Sequence, residues 1–431
     1  MTTGAAFLSP VVTGWACAVC GAQVDIATPM SWRCPAAGSN RHHVLQIVGR
    51  DERLAFSEEA NPFIAHRRHL AWDAFAAAQG LDDAARIALI REIDANVAAT
   101  AGTGFVHTPF ARSDRLSDIL RFSGTGGVWV KDETHNVGGS HKARHLFTIL
   151  LHLLTVERVG IAPWGLAGDR PVLAIASCGN AALAAATLAA SVNWPIRVFV
   201  PVAANQVVVA ELRRLGATVV ECPRRASDPP GDPCVHRFRE AVSAGAVPFG
   251  VQGTENAWCL DGGRTIGWEM AQQGPTFDRV FVQVGGGAFA ACVAAGFAAR
   301  GSAPRLHTVQ TESCAPLERA WQRLPAVGGD AAQHWTELMW PWEHVGSSAA
   351  DGILDDETYD WLPVVRAMAS TGGSPVVVGE DTVLEANDVG CRSTGIDASY
   401  TGTAGLAGLL AIRDKVGHHE RVAVIFSGIR R

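Results

Sequence analysis

Long apolar runs are missing from this sequence. The most compact stretch, Leu146 to Leu154, is far shorter than the ~20 residues a membrane-spanning helix needs. Missing too is an opening segment that joins a basic region, an apolar run and a small-residue cleavage site, so the expectation is a cytoplasmic protein with no membrane partner. Blocks of like charge are absent. The 36 basic and 42 acidic residues are interspersed and sum to −6, which removes the electrostatic case for nucleic acid and favours small, diffusing partners. Nor do the ten cysteines suggest a disulfide framework. Most stand alone in apolar segments, as Cys178, Cys259 and Cys292 do, and read as small buried hydrophobes. At 431 residues the chain is long enough for two or three domains and a sizeable core.

What is present begins with a cysteine cluster. Between Trp15 and His43 lie Cys17, Cys20 and Cys34, then His42 and His43, with Gly21 and Gly38 at turns. The stretch resembles a zinc ribbon. Tetrahedral zinc needs four ligands, of which the Cys-x2-Cys knuckle supplies two and Cys34 a third. The fourth is His42 or His43, and we take His42. A structural zinc is thereby expected, with a ribbon that has lost its metal as the alternative.

From Asp51 to Ala101 the pattern is helical, as in Leu81 to Ala98, and predicts an arm packed on the main body. Beyond it, short apolar runs alternate with helical ones. Val172–Ala176, Ile196–Val200, Thr218–Cys222, Val280–Val284, Leu306–Gln310 and Val422–Phe426 lack polar alternation, as strands buried on both faces do. Helical segments at Ala181–Ser191, Asn205–Leu215 and Ala288–Arg300 separate them, so the fold class is α/β with parallel-sheet cores. Arg224 to Pro233 reads as a surface loop, and the acidic run Asp355 to Asp360 as a solvated helix face.

Ligands of open parallel sheets bind beyond the carboxyl ends of the strands. Four loops there carry chemistry. In the first, residues 128–144, a strand enters a glycine-rich turn and then an apolar helix whose first turn holds Lys142. Partial burial and the positive helix end disfavour an ammonium, which favours a nucleophilic amine. The second loop, Ser177 to Ala181, opens an alanine-rich helix whose amides can bind an anion, with Asn180 as a side-chain donor. The third is Gly285-Gly286-Gly287-Ala288, where backbone can close around a phosphate. It also meets a loose dinucleotide pattern, with Glu312 available to a ribose, so a nicotinamide-dependent oxidoreductase is the main rival. The fourth is Ser427-Gly428 after the last strand.

Together the loops resemble the fold-type-II pyridoxal-phosphate enzymes, most nearly the branch of threonine synthase and threonine dehydratase. The matching elements are Gly-Ser-His-Lys-Ala-Arg over 139–144, Ser-x-Gly-Asn over 177–180, the glycine loop and the terminal Ser-Gly, supported by Thr108-Pro109, 260–269, 310–317, 350–353 and 401–408. The likeness spans about Thr108 to Gly428, and some threonine synthases also carry a Cys-x2-Cys ribbon ahead of the core.

The resemblance implies two domains, 51–137 with 251–431 as the large cofactor-binding part and 138–250 as the small part, after a ribbon at 1–50. It implies pyridoxal 5'-phosphate bound as a Schiff base on Lys142, which would also move the substrate Cα proton. Asn180 would bond the phenolic oxygen, and Gly285, Gly286, Gly287 and Ala288 would cradle the phosphate. Asn136, Ser140, Ser177, Gly179 and Ala181 would take the carboxylate of a small amino-acid substrate. Ser427 would face the pyridine nitrogen, with Thr403 as the fallback. A hydroxyl there cannot keep the ring protonated as a carboxylate would, so elimination of a β-substituent, or β-replacement, is favoured. Relatives are usually homodimers. A non-catalytic binding protein on the same fold is the remaining alternative.

Departures from the threonine synthase pattern put the substrate in doubt. His141 precedes the lysine, as in the tryptophan synthase β-chain, and is expected to pack beside the cofactor. His145 is similarly placed, and Arg144 and Arg264 are the candidates for a second anion site.

Overall fold

A computed structural model describes residues 10–38, 42–165, 167–301 and 303–431. A small antiparallel sheet comes first, built from β1 (Val12–Cys17), β2 (Gln23–Asp25) and β3 (Leu45–Gly49) in the order β2-β1-β3. It is seated on the main body by large rings. Trp15 is fully buried edge-on to Trp258 at 5.1 Å, and the Met30 amide donates to Nε2 of the buried His152.

The helical expectation for 51–101 holds only from residue 62. Helices span Pro62–Ala65, Ala71–Ala78 and Asp83–Ala101, whereas 51–60 has no regular structure. The stops are local: Asn61 caps a helix that opens on proline, Asp82 caps the long one, and Gly102 ends it in the left-handed conformation. The first part of this region packs deep into the main body. Ala71, Trp72, Phe75 and Ala76 are fully buried, and the amides of Ala71 and Trp72 donate to the Asp261 carboxylate at 2.8 and 3.0 Å.

The larger sheet combines β4 (Phe110–Ser113) and β5 (Gly127–Asp132) with four later strands; the smaller holds β6 (Leu173–Ala176), β7 (Ile196–Val200), β8 (Thr218–Glu221) and β9 (Val247–Pro248). The later strands are β10 (Arg279–Gln283), β11 (Arg305–Thr311), β12 (Ser374–Val378) and β13 (Arg421–Phe426). The orders are β12-β11-β10-β13-β5-β4 and β8-β7-β6-β9. All pairs are parallel except β4 with β5 at the edge. The six expected runs are all strands, within a residue or two at either end. β10 is buried at every position and β13 at all but its first, the burial on both faces that their lack of polar alternation implies.

Helices Cys259–Gln273 and Ala288–Ala298 cross at glycine. A Cβ on Gly296 would stand 2.6 Å from the Cα of Gly267, so only glycine permits this approach. The contact fixes the helix that begins where the glycine loop ends.

The acidic run is not a solvated helix face. Residues 355–360 precede the helix Trp361–Thr371, and Thr358, Tyr359 and Asp360 are buried. The Asp360 amide donates to the Gly286 carbonyl at 2.8 Å and its carboxylate accepts from the Gly253 amide at 2.9 Å, so the run packs onto the glycine loop.

Candidate active site

The carboxyl ends of β5, β6, β10 and β13 bring the four loops together. Ser140 bridges Gly428 antiparallel, and the His141 amide donates to the Ser427 carbonyl at 3.1 Å. Gly428 in turn lies against Asn180: a Cβ there would sit 2.7 Å from Asn180 Nδ2. Loops more than 280 residues apart in sequence (140 to 428) therefore share one wall.

Lys142 opens the helix Lys142–Arg158 at the foot of that wall. The residue is half-buried, and its surroundings are dense enough that desolvation lowers its pKa, against the pull of Asp355 and Cys259. Among the described residues no hydrogen bond fixes its Nζ. His141 stacks on Phe289 at 3.9 Å, and His145 faces the Cys259 carbonyl through Nδ1 at 2.9 Å. A carbonyl only accepts, so this nitrogen carries the proton and His145 is neutral, its pKa pushed down to about 3 by burial. Both histidines pack the lysine's helix.

Asn180 begins the helix Asn180–Ser191 and accepts from Arg431 Nε through Oδ1 at 3.0 Å. A guanidinium only donates, so the amide's NH2 end is the one turned to Gly428. Ser177 and Gly179 are half-buried at the same helix start, and Ala181 is buried in its first turn. Cys178 between them is exposed rather than a core residue. Ser427 is buried and its Oγ lies 2.7 Å from Gln283 Nε2. Thr403, the fallback, is spent elsewhere. Wholly buried, its hydroxyl accepts from Asn387 and lies 3.3 Å from the Ser399 carbonyl of its own helix cap.

The turn Gly285–Gly287 is tight, and Gly287 is the position that most needs glycine. A Cβ on Gly285 would meet Asp355 Oδ2 at 2.2 Å, one on Gly287 would meet Thr358 at 2.9 Å, and Gly287 has φ +96°. Asp355 therefore faces the glycine turn, within reach of the Gly286 amide, and burial raises its pKa to about 6 although Lys142 opposes the rise. Sequence reasoning counts this residue among solvated charges; the signal against that is its place six residues before the buried helix Trp361–Thr371.

Asn136 is buried and braces its own loop: Nδ2 donates to Glu133 at 2.8 Å and Oδ1 accepts from the Val137 amide at 2.8 Å, which leaves one N–H and one lone pair of the amide. One expected role is corrected. Arg144 and Arg264 form no second anion site, because Arg144 is fully buried on Glu133 and Glu269, and Arg264 is paired with Asp261 at 2.7 Å.

The family model described as pyridoxal-phosphate dependent enzyme matches residues 103–428. The chain belongs to that family. No curated protein sequence matches it. Among solved structures, the processed form of threonine deaminase isoform 2 from Solanum lycopersicum is 18% identical with a TM-score of 0.59, over 82% of this chain and 92% of that one. Maize serine racemase is 20% identical, TM-score 0.59, over 80% and 95%. Diaminopropionate ammonia lyase from Escherichia coli is 16% identical, TM-score 0.59, over 88% and 92%. These likenesses show a shared fold, and membership of the family overturns the nicotinamide reading of the glycine loop.

The residues present fit pyridoxal phosphate: a desolvated amine with no hydrogen bond of its own, a glycine turn that a Cβ would fill, and two polar side chains whose free ends share the wall. Among the described residues no helix is long and apolar enough to cross a membrane.

The small sheet carries a separate cluster. Donor atoms of Cys17, Cys20, Cys34 and His43 all lie within 4.8 Å of one another. Cys17 Sγ is 3.4 Å from His43 Nδ1, and Cys20 Sγ is 3.6 Å from Cys34 Sγ. Ligands bound tetrahedrally at about 2.3 Å stand about 3.8 Å apart, so this set fits zinc. His43 completes it, not His42, whose ring stacks on Trp335 at 5.4 Å. One of the neighbouring histidines meets the sulfurs and the other meets Trp335, a choice that spacing could not make.

Proposed function

We propose that this enzyme is a lyase that eliminates a β-substituent from a small amino acid. The observation that carries the reading is the pairing of a hydroxyl, Ser427, with a neutral amide, Gln283, at the end of β13, with no carboxylate touching that hydroxyl among the described residues. When bound, pyridoxal phosphate supplies an electron-withdrawing ring that acidifies the substrate Cα proton, and a ring left unprotonated by its partner favours expulsion of the β-group over reprotonation. Lys142, whose desolvation keeps its amine available, anchors the cofactor and moves the Cα proton. Gly285 to Ala288 hold the phosphate with backbone amides at a helix start, and Asn180 donates through Nδ2 to the phenolic oxygen. Ser140, Ser177, Gly179 and Ala181 hold the substrate carboxylate.

The same proposal includes a structural zinc on Cys17, Cys20, Cys34 and His43, and a small domain formed around β6 to β9 within 138–250. Ten free cysteines suit a reducing, cytoplasmic setting, and a homodimer completes the reading. The test is direct. Purified protein given cofactor should show a visible absorption band that Lys142→Ala abolishes, and a screen of serine, threonine and their O-substituted derivatives should release keto acid and ammonia. Interconversion of substrate enantiomers with no keto acid would sink elimination, and product that forms only with an added nucleophile would favour β-replacement.

A further inference from the structure

Gln283 ends β10 one residue before the valine that leads into the glycine turn, and its side chain is buried between β13 and the helix Tyr400–Ala411. Its Nε2 lies 2.9 Å from the Gly402 carbonyl, 3.1 Å from that of Thr401, 3.3 Å from that of Ile425 and 2.7 Å from Ser427 Oγ. Three of these four neighbours are backbone carbonyls, which only accept. They decide which way the amide points: its nitrogen must face them, and its oxygen the other way, where Oε1 is buried without a partner among the described residues. An amide NH2 has no lone pair to offer. Ser427 can therefore only accept from Gln283, and its own proton must leave in another direction.

No other acceptor for that proton appears among the described residues, while the Ser427 backbone is fixed by its amide on the Gly402 carbonyl and its carbonyl under the His141 amide, both at 3.1 Å. We infer that Gln283 is a positioning residue that makes the Ser427 hydroxyl a one-way donor toward the ring nitrogen of the cofactor. The inference rests on the cofactor reading above. It goes beyond that reading because the protonation of the ring is set one shell away from it: a hydroxyl free to rotate can accept from a protonated ring as readily as donate to a neutral one, and Gln283 removes the first option.

The consequence concerns partition. With Gln283 present, the ring stays neutral and elimination dominates. In Gln283→Met, the hydroxyl loses the donor that occupies its lone pair and is free to rotate, so it can accept from a protonated ring as well as donate to a neutral one, and the ring takes up a proton more readily.

The experiment is nitrogen NMR of the holoenzyme reconstituted with cofactor labelled at the ring nitrogen. Wild type should give the resonance of a neutral, hydrogen-bonded pyridine; Gln283→Met should move it upfield into the protonated range, with the visible band of the lysine-bound cofactor retained and solvent-proton exchange at the substrate Cα rising several-fold relative to keto-acid release. An unshifted resonance in Gln283→Met at full occupancy overturns the inference while leaving the cofactor reading intact. If that variant does not fold, wild type decides: a protonated ring in the unmodified enzyme overturns the inference, and a neutral one whose hydrogen-bond shift disappears in Ser427→Ala supports it. Wild type that shows no visible band on cofactor addition takes both readings down together.

Discussion

Arg144 Nε lies 2.9 Å from Glu133 Oε2, with neither side chain exposed. Two residues past Lys142, this pair joins the lysine's helix to the loop that follows β5. Lys131 and Glu269 close the set, with Lys131 Nζ 2.6 Å from Glu269 Oε2 and Arg144 also on Glu269. Two positive and two negative groups balance, and Thr108 supplies its carbonyl to Lys131 at 2.8 Å. Removing one member leaves a buried charge uncompensated. Glu133→Ala should therefore lose about 3–5 kcal/mol in urea denaturation. A loss under 1 kcal/mol would mean that the cluster is hydrated.

Asp355 faces the glycine turn, so on the proposed reading it competes with the cofactor phosphate. Its Oδ2 stands 2.2 Å from where a Cβ on Gly285 would be, and a negative charge at that position repels an anion. Asp355→Asn should bind pyridoxal phosphate about tenfold more tightly at pH 8, which is about 1.4 kcal/mol. Because the wild-type carboxyl titrates near pH 6, it is mostly neutral at pH 5, so the advantage of the variant should shrink there. Fluorescence titration of cofactor-free protein at the two pH values checks both the size and the trend.

Asp360 predicts a slope of stability with pH. Burial raises its pKa to about 7, well above an unfolded carboxyl, although the hydrogen bond from the Gly253 amide pulls the other way. The folded state thus holds a proton that the unfolded chain releases. This contribution is complete below about pH 4 and is lost as pH rises through 7. Wild-type Tm should fall between pH 5 and pH 8, and Asp360→Asn should flatten that fall, gaining about 2–4 kcal/mol at pH 8. A variant as pH-sensitive as wild type would place the titration on other groups.

The ribbon should carry metal. Elemental analysis is expected to find about one zinc per chain, as four ligands in tetrahedral spacing imply, and Cys34→Ser or His43→Ala should reduce it below half. His42→Ala should leave zinc content unchanged, because its ring stacks on Trp335 outside the cluster. Equal loss in the two histidine variants would argue against the ligand set.

Much of the architecture was legible in residue order because it depends on local chemistry. Runs such as Val280–Val284 and Val422–Phe426 are almost wholly apolar, short and rich in β-branched residues, as strands covered on both faces are. Lys142, Asn180, the three glycines and Ser427 stood in loops beyond strand ends, where a parallel sheet exposes them, and the family match over 103–428 shows the cofactor class that their resemblance implied.

What tertiary structure decided are the questions of direction. Whether His42 or His43 turns toward the sulfurs depends on which side of the chain meets Trp335. Whether Arg144 is free for a ligand depends on Glu133 and Glu269, one of them 125 residues away. The acidic run looked solvated because charge usually is, and only the packing of Asp360 on Gly286 shows it buried. The same holds for Ser427. Sequence alone supplied a hydroxyl at the end of the last strand; three carbonyls brought together around Gln283 determine where its proton can go, because hydrogen-bond polarity is a property of neighbours in space.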